Sequence, residues 1–323
     1  MNAAALAAKR RSQAALEMGR ATEAVKLAKE AVAAAPDDAM TYCQLANACI
    51  AAGDYPASLD AADKATSLGP DVEWAHALRA VALLNLGKAR EALEAVDEAL
   101  RLNPNLGPRH RLRASCLAKL ERPKEAEDAA ERACQLSPED PMAYAVLGDL
   151  AFAAHRWADA ESAWRTALGL DPTNAPRLNN YGAALSRQGR KREALDAYRR
   201  AIRMDPSLDL AKRNLHHSVR GTLGRGALVA GAGALWVLKI AGVTAANGSM
   251  RFIMQSPGSG WRDVLAGAGS LVLLGAVIAL ARRGWIAYRA RERLKDLEVR
   301  DPDLVRLYRQ IDRDLAAGRI RRG

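Results

Sequence analysis

The sequence predicts an all-α protein: six tandem helix-turn-helix units over residues 1–208, followed by a two-helix transmembrane segment over 227–281. Three observations carry this. Pro36, Pro70, Pro104, Pro138, Pro172 and Pro206 return every 34 residues. Aromatic residues make up only 5% of the chain and Phe occurs twice, so the core is built from Ala and Leu, which suits close-packed helices. Residues 264–281 run eighteen positions without a charge.

Each recurring position has a physical reason. Ala31, Ala65, Ala99, Ala133, Ala167 and Ala201 stand five residues before the prolines. Ala24, Ser58, Ala92, Ala126, Ala160 and Ala194 stand twelve before, and Ser12, Ala46, Ala80, Ala114, Gly148 and Gly182 twenty-four before. Two antiparallel helices that approach closely need small residues where they cross. Gly19, Gly53, Gly87 and Gly189, with Glu121 and His155 in the other two units, occupy the mid-unit turn, where a left-handed residue ends the first helix. The proline stops the second helix. Leu68, Leu102, Leu136, Leu170 and Met204, two residues earlier, are expected to staple neighbouring units. No unit buries its own apolar face, so stability comes from stacking.

This period and signature resemble the tetratricopeptide repeat family over about 200 of the 323 residues. The resemblance implies a right-handed α-solenoid with boundaries near 5–38, 39–72, 73–106, 107–140, 141–174 and 175–208. Repeat one departs most, with Arg11 at a usually apolar site, as suits an end unit with one face in water. Residues 209–220 begin like a seventh first helix and then diverge. We read 209–226 as a capping helix and linker.

The membrane part follows. In 264–281, nine Leu, Ile or Val favour insertion by about 3 to 5 kcal/mol, and Trp261, Trp285 and Tyr288 flank the run as interfacial aromatics. In 227–246, seven such residues supply about 2 to 4 kcal/mol against about 2.5 to 3.5 for Lys239. Lys239 either lines an ion or substrate path or snorkels to an interface. Basic residues cluster before the first run (Lys212, Arg213, Arg220, Arg225) and after the second (Arg282, Arg283, Arg289, Arg291, Arg293, Lys295), whereas 247–263 holds only Arg251 and Arg262. The positive-inside rule then predicts a hairpin with both ends in the cytoplasm.

The charge distribution agrees. Residues 209–323 carry 20 basic and 9 acidic residues, a net of +11, while 1–208 carry 28 of each. That pattern disfavours a nucleic-acid footprint on the repeats and favours a membrane surface. Ala3 to Ala8 form too short an apolar stretch, with its charges on the wrong side, for a secretory signal. The expected location is the inner membrane of a bacterium, with repeats and C-terminus cytoplasmic. The tail, 282–323, is read as basic and amphipathic. Within it Asp301 caps a helix, Pro302 fits its first turn and Gly318 ends it, with Leu304, Leu307, Tyr308, Ile311 and Leu315 on one face. That face suits anionic lipid, a partner, or the protein's own repeats.

No catalytic, metal or cofactor constellation emerges. GAGAL and GAGSL lack the third glycine of a dinucleotide loop. His216 and His217 are adjacent and diverge on a helix, and His76, His110 and His155 share no ligand spacing. Cys43, Cys49, Cys116 and Cys134 suit neither a disulfide scaffold nor a zinc site. We expect no enzyme and no cofactor.

What remains is surface recognition. The resemblance implies that the first helix of each repeat lines a concave groove. By that register the groove holds Met40, Asn47, Ile50, Trp74, Val81, Leu84, Arg111, Ser115, Met142, Asp149, Phe152 and Asn179, with Cys43, Ala77 and Ala145 at equivalent sites. Some of the large apolar members pack either in the groove or inside the array. Relatives that clamp a chaperone's carboxylate tail use a Lys where this chain has Cys43, so that activity is not implied. The expected function is a membrane-anchored scaffold that binds a partner peptide or helix. The other reading is an accessory or assembly subunit of a membrane transport or secretion system.

Overall fold

A computed structural model describes residues 3–221 and 287–320. Every regular element among the described residues is a helix. They fall into two compact units, Met1–Gln188 and Gly189–Gly323. The two apolar runs and the loop between them lie outside the described residues. Among the described residues, no helix is long and apolar enough to cross a membrane.

The first unit contains α1 (Ala3–Glu17), α2 (Ala21–Ala34), α3 (Ala39–Ala52), α4 (Tyr55–Leu68), α5 (Glu73–Asn85), α6 (Ala89–Leu102), α7 (Gly107–Lys119), α8 (Pro123–Leu136), α9 (Pro141–Ala153), α10 (Trp157–Leu170) and α11 (Ala175–Arg187). Odd helices are the first and even helices the second of each repeat. The small residues meet at the crossing, as the spacing predicts. Ala46, Ala65, Ala80, Ala92, Ala99, Ala114, Ala126, Ala133, Ala160 and Ala167 are fully buried. Where a serine replaces alanine, its hydroxyl is satisfied by the opposite helix: Ser12 Oγ donates to Ala24 O at 3.0 Å, and Ser58 Oγ to Ala46 O at 3.0 Å. The two bonds run in opposite directions across the same contact.

The mid-repeat turn is left-handed in all six copies. Gly19, Gly53, Gly87 and Gly189 have φ of 71°, 75°, 79° and 82°, and Glu121 and His155 adopt 57° and 60°. Closure of the helix end requires this backbone even where the side chain disfavours it. The period also appears in the bonds between repeats. His76 Nε2 donates to Pro70 O and His110 Nε2 to Pro104 O, both at 2.8 Å. Arg79 pairs with Asp63 at 2.6 Å and Arg113 with Asp97 at 2.7 Å. Of the expected staples two residues before each proline, Leu68, Leu102 and Leu136 are half-buried, whereas Leu170 and Met204 are exposed.

The second unit contains α12 (Lys191–Met204), α13 (209–221), α14 (287–300) and α15 (Pro302–Ala316). Asp301 caps α15 by accepting from Leu304 N at 3.0 Å, and Gly318 follows with φ of 69°. The same carboxylate pairs with Arg199 of α12 at 2.6 Å. On α13, His216 stacks on Tyr308 with centroids 5.0 Å apart, and its Nε2 lies 2.9 Å from Asp312 Oδ1. Leu304, Val305 and Ile311 are buried. The tail helix therefore packs on its own repeat helices; of the three surfaces the sequence leaves open for it, this is the one it uses. His216 stands where a seventh repeat has its crossing residue, so α15 meets α13 at the site that faces the second helix in complete repeats.

Candidate functional site

In the first unit, α1 touches α3, α3 touches α5, α5 touches α7, and α7 touches α9. No pair of even helices shows comparable contact among the described residues. The odd helices thus form the more closely spaced layer, the one on which the register places the candidate groove.

Along this layer the twelve register positions fall into three environments. Met40, Met142 and Asp149 are exposed. Asn47, Ile50, Trp74, Val81, Leu84, Arg111, Ser115 and Phe152 are half-buried. Asn179 is buried, as are Cys43 and Ala77 at the equivalent site of earlier repeats. Those residues form the floor between neighbouring inner helices. Trp74 and Ile50 pack against the cluster around Cys43, Ala61, Ala65 and Leu78. Leu84 packs against the next cluster, around Leu83 and Val96. These three side chains thus support the core with one edge and line the face with the other. Phe152 packs edge-on to Trp157 at 4.8 Å and against Trp164 at 5.4 Å.

The polar members are not equally available. Arg111 Nε donates to Asp140 Oδ2 at 3.1 Å, and Asp140 caps α9 by accepting from Met142 N at 2.8 Å. Ser115 Oγ bonds back to Arg111 O at 3.2 Å. Asp149 differs. The indole of Trp164 and the side-chain amide of Asn180 hydrogen-bond its carboxyl. Asn179 Nδ2 donates to Asn180 Oδ1 at 3.3 Å, which leaves the Asn180 amide to face Asp149. The Asp149 carboxyl reaches solvent, yet its surroundings remove enough water to raise its pKa. That desolvation outweighs the two hydrogen bonds and the attraction of Arg177. Arg177 is itself held by Asp171 at 3.1 Å and by the Met142 sulfur at 3.2 Å.

Trp164, Asn180 and Arg177 were not legible as site residues from the repeat register. A signal exists, however. Residue eight before each proline is Ala28, Ala62, Val96, Ala130, Trp164 and Tyr198, and the two repeats with an aromatic there are the two with glycine at the crossing, Gly148 and Gly182. In repeat five the reason is direct: a Cβ on Gly148 would lie 2.5 Å from Trp164 Nε1. Among the described residues, no group of three or more His, Cys, Asp or Glu is placed to hold a metal ion.

Paired antiparallel helices stacked in two layers define a helical-repeat protein. A tetratricopeptide repeat family model matches residues 9–73, 77–141 and 146–209, more than half of the chain. The chain belongs to the tetratricopeptide repeat family. Similar solved structures agree on the fold. A thermophilic repeat protein of the same family from Thermus thermophilus shares 22% identity at a TM-score of 0.53, covering 57% of this chain and all of that one. PilW, a type IV pilus biogenesis factor, shares 16% at 0.60, covering 67% of this chain and all of that one. The Cut9–Hcn1 hetero-tetramer of the APC/C matches at 17% and 0.60 over 65% of this chain, which spans 42% of the matched chain. A comparison with curated proteins gives no significant match.

Proposed function

We propose that this protein is a membrane-anchored interaction scaffold whose concave face binds a segment of a partner protein. One observation carries the binding role. The odd helices present Met40, Trp74, Leu84, Met142 and Phe152 as partly accessible apolar groups, interrupted on α9 by the carboxylate of Asp149. Half-buried aromatic and thioether groups in a concave wall are suited to anchor an incoming helix or extended peptide. The family's repeats generally serve as protein-interaction scaffolds without catalysis, and we assign this chain no reaction.

The anchor is the apolar pair 227–246 and 264–281. A hairpin topology draws support from the second unit. α13 precedes both runs and α15 follows them, yet His216 of α13 contacts Tyr308 and Asp312 of α15. Chain ends that touch lie on one side of a bilayer, so the segment between them crosses an even number of times. The positive-inside rule puts that side in the cytoplasm, at an inner membrane.

The test is site-specific photocrosslinking in native membranes from Met142, with Asp159 on an outer helix as control. The expected result is one dominant protein adduct from Met142 and none from Asp159. Equal adducts from both positions, or none from either, would overturn the concave-face reading. Co-purification chiefly with multi-span membrane proteins would favour the assembly-subunit role instead.

A further inference from the structure

We infer that Asp149 is the receptor for a basic side chain, so that the partner segment presents a Lys or Arg between apolar residues. The inference rests on the concave-face reading and narrows it to a partner of defined chemistry. On α9, Met142 and Phe152 flank Asp149 at helical spacing, one exposed and one half-buried. The stripe therefore reads apolar, acidic, apolar, and its complement is apolar, basic, apolar.

Asp149 is built as a receptor. The two side chains that donate to it, the Trp164 indole and the Asn180 amide, are both neutral. They fix the carboxylate's orientation without cancelling its charge, and a carboxylate has further lone pairs to offer. Trp164 is itself immobilised, since it is almost wholly buried and Gly148 makes room for its ring. Asn179 orients Asn180. The nearby guanidinium of Arg177 is occupied by Asp171 and Met142. A preorganised carboxylate in a partly dewatered wall, with its charge unmatched, gains more from an arriving cation than the same group on an open surface. An acidic partner would meet repulsion at the same point.

The experiment selects short random peptides displayed on phage against the full chain in detergent micelles. The affinity of the best peptide is then measured for the wild type and for Asp149→Asn by fluorescence anisotropy. We expect Lys or Arg enriched at one peptide position. We expect Asp149→Asn to weaken binding about tenfold or more, and replacement of the basic residue by norleucine to weaken it equally, with no further loss when the two are combined. Selected peptides without a basic residue, or an affinity unchanged by Asp149→Asn, overturn the inference while leaving a concave-face binder in place. Failure to select any peptide, or binding unaffected by Met142→Glu and Asp149→Asn alike, overturns the function proposed above as well. A variant that fails to fold leaves the peptide-side replacement as the deciding measurement.

Discussion

At the scale of single residues, the molecule depends on how little space its crossings leave. Gly148 has no side chain because Trp164 needs the volume. Gly148→Ala places a methyl group inside the indole's envelope and should destabilise the first unit by about 1–3 kcal/mol, measured by urea unfolding. The same substitution should shift the Trp164 fluorescence spectrum, since the ring must move from Asp149. An unchanged midpoint would mean that the helices separate at no cost. The cysteines give a second test. Burial pushes the thiols of Cys43 and Cys116 up to about 12, and raises Cys49 as well. A thiol whose folded pKa exceeds its unfolded value stabilises the fold below the unfolded value, and the effect fades as pH rises through the folded one. Stability should therefore be flat from pH 7 to about 8.5 and fall in alkali. Cys43 and Cys116 should resist thiol reagents until the chain is unfolded. Fast labelling of either in the native protein would contradict their burial.

At the scale of elements, the decisive pieces are caps and turns. The tail helix α15 begins at one residue with two tasks. Asp301 caps the helix and pairs with Arg199, whose side chain is largely buried. Asp301→Ala removes both and leaves Arg199 with only its more distant contact to Asp196 at 3.9 Å. We expect a loss of about 1–2 kcal/mol in docking of α15, read as faster amide exchange over 302–316 with α2 to α10 unchanged. Asp301→Asn should retain the cap and lose the charge pair, and so fall between. If exchange over 302–316 is unaltered, the apolar contacts of Leu304, Val305 and Ile311 hold the helix alone. Here the sequence was legible in part. The cap, the first-turn proline and the terminal glycine of α15 can all be read locally. The surface that α15 covers cannot, because its partners Arg199 and His216 lie about a hundred positions away.

At the scale of the whole molecule, the proposed membrane anchor can be tested directly. Cysteines introduced at Ser249 and Ser256, in the segment between the apolar runs, should react with an impermeant thiol reagent from outside intact cells. A cysteine at Ser162, which is exposed on α10, should react only after lysis. Labelling of Ser162 from outside would reverse the proposed orientation. Labelling of neither loop position would leave the two runs without a crossing.

The repeat was determined by the sequence alone, because its causes are local. A proline ends a helix, a left-handed residue turns it, and a small residue permits a crossing, each from its own chemistry. Even Glu121 and His155 obey the turn that their position demands, although nothing in their identity announces a positive φ. Met40, Met142 and Asp149, which the register assigns to the candidate groove, are exposed. Only the tertiary structure decided which candidate groove residues are already engaged within the fold. Arg111 is paired with the helix-capping Asp140 and Asn179 is buried, while Asp149 is exposed beside Trp164 and Asn180 from two other helices. Such commitments depend on distances between elements, and a pattern along one chain does not contain them.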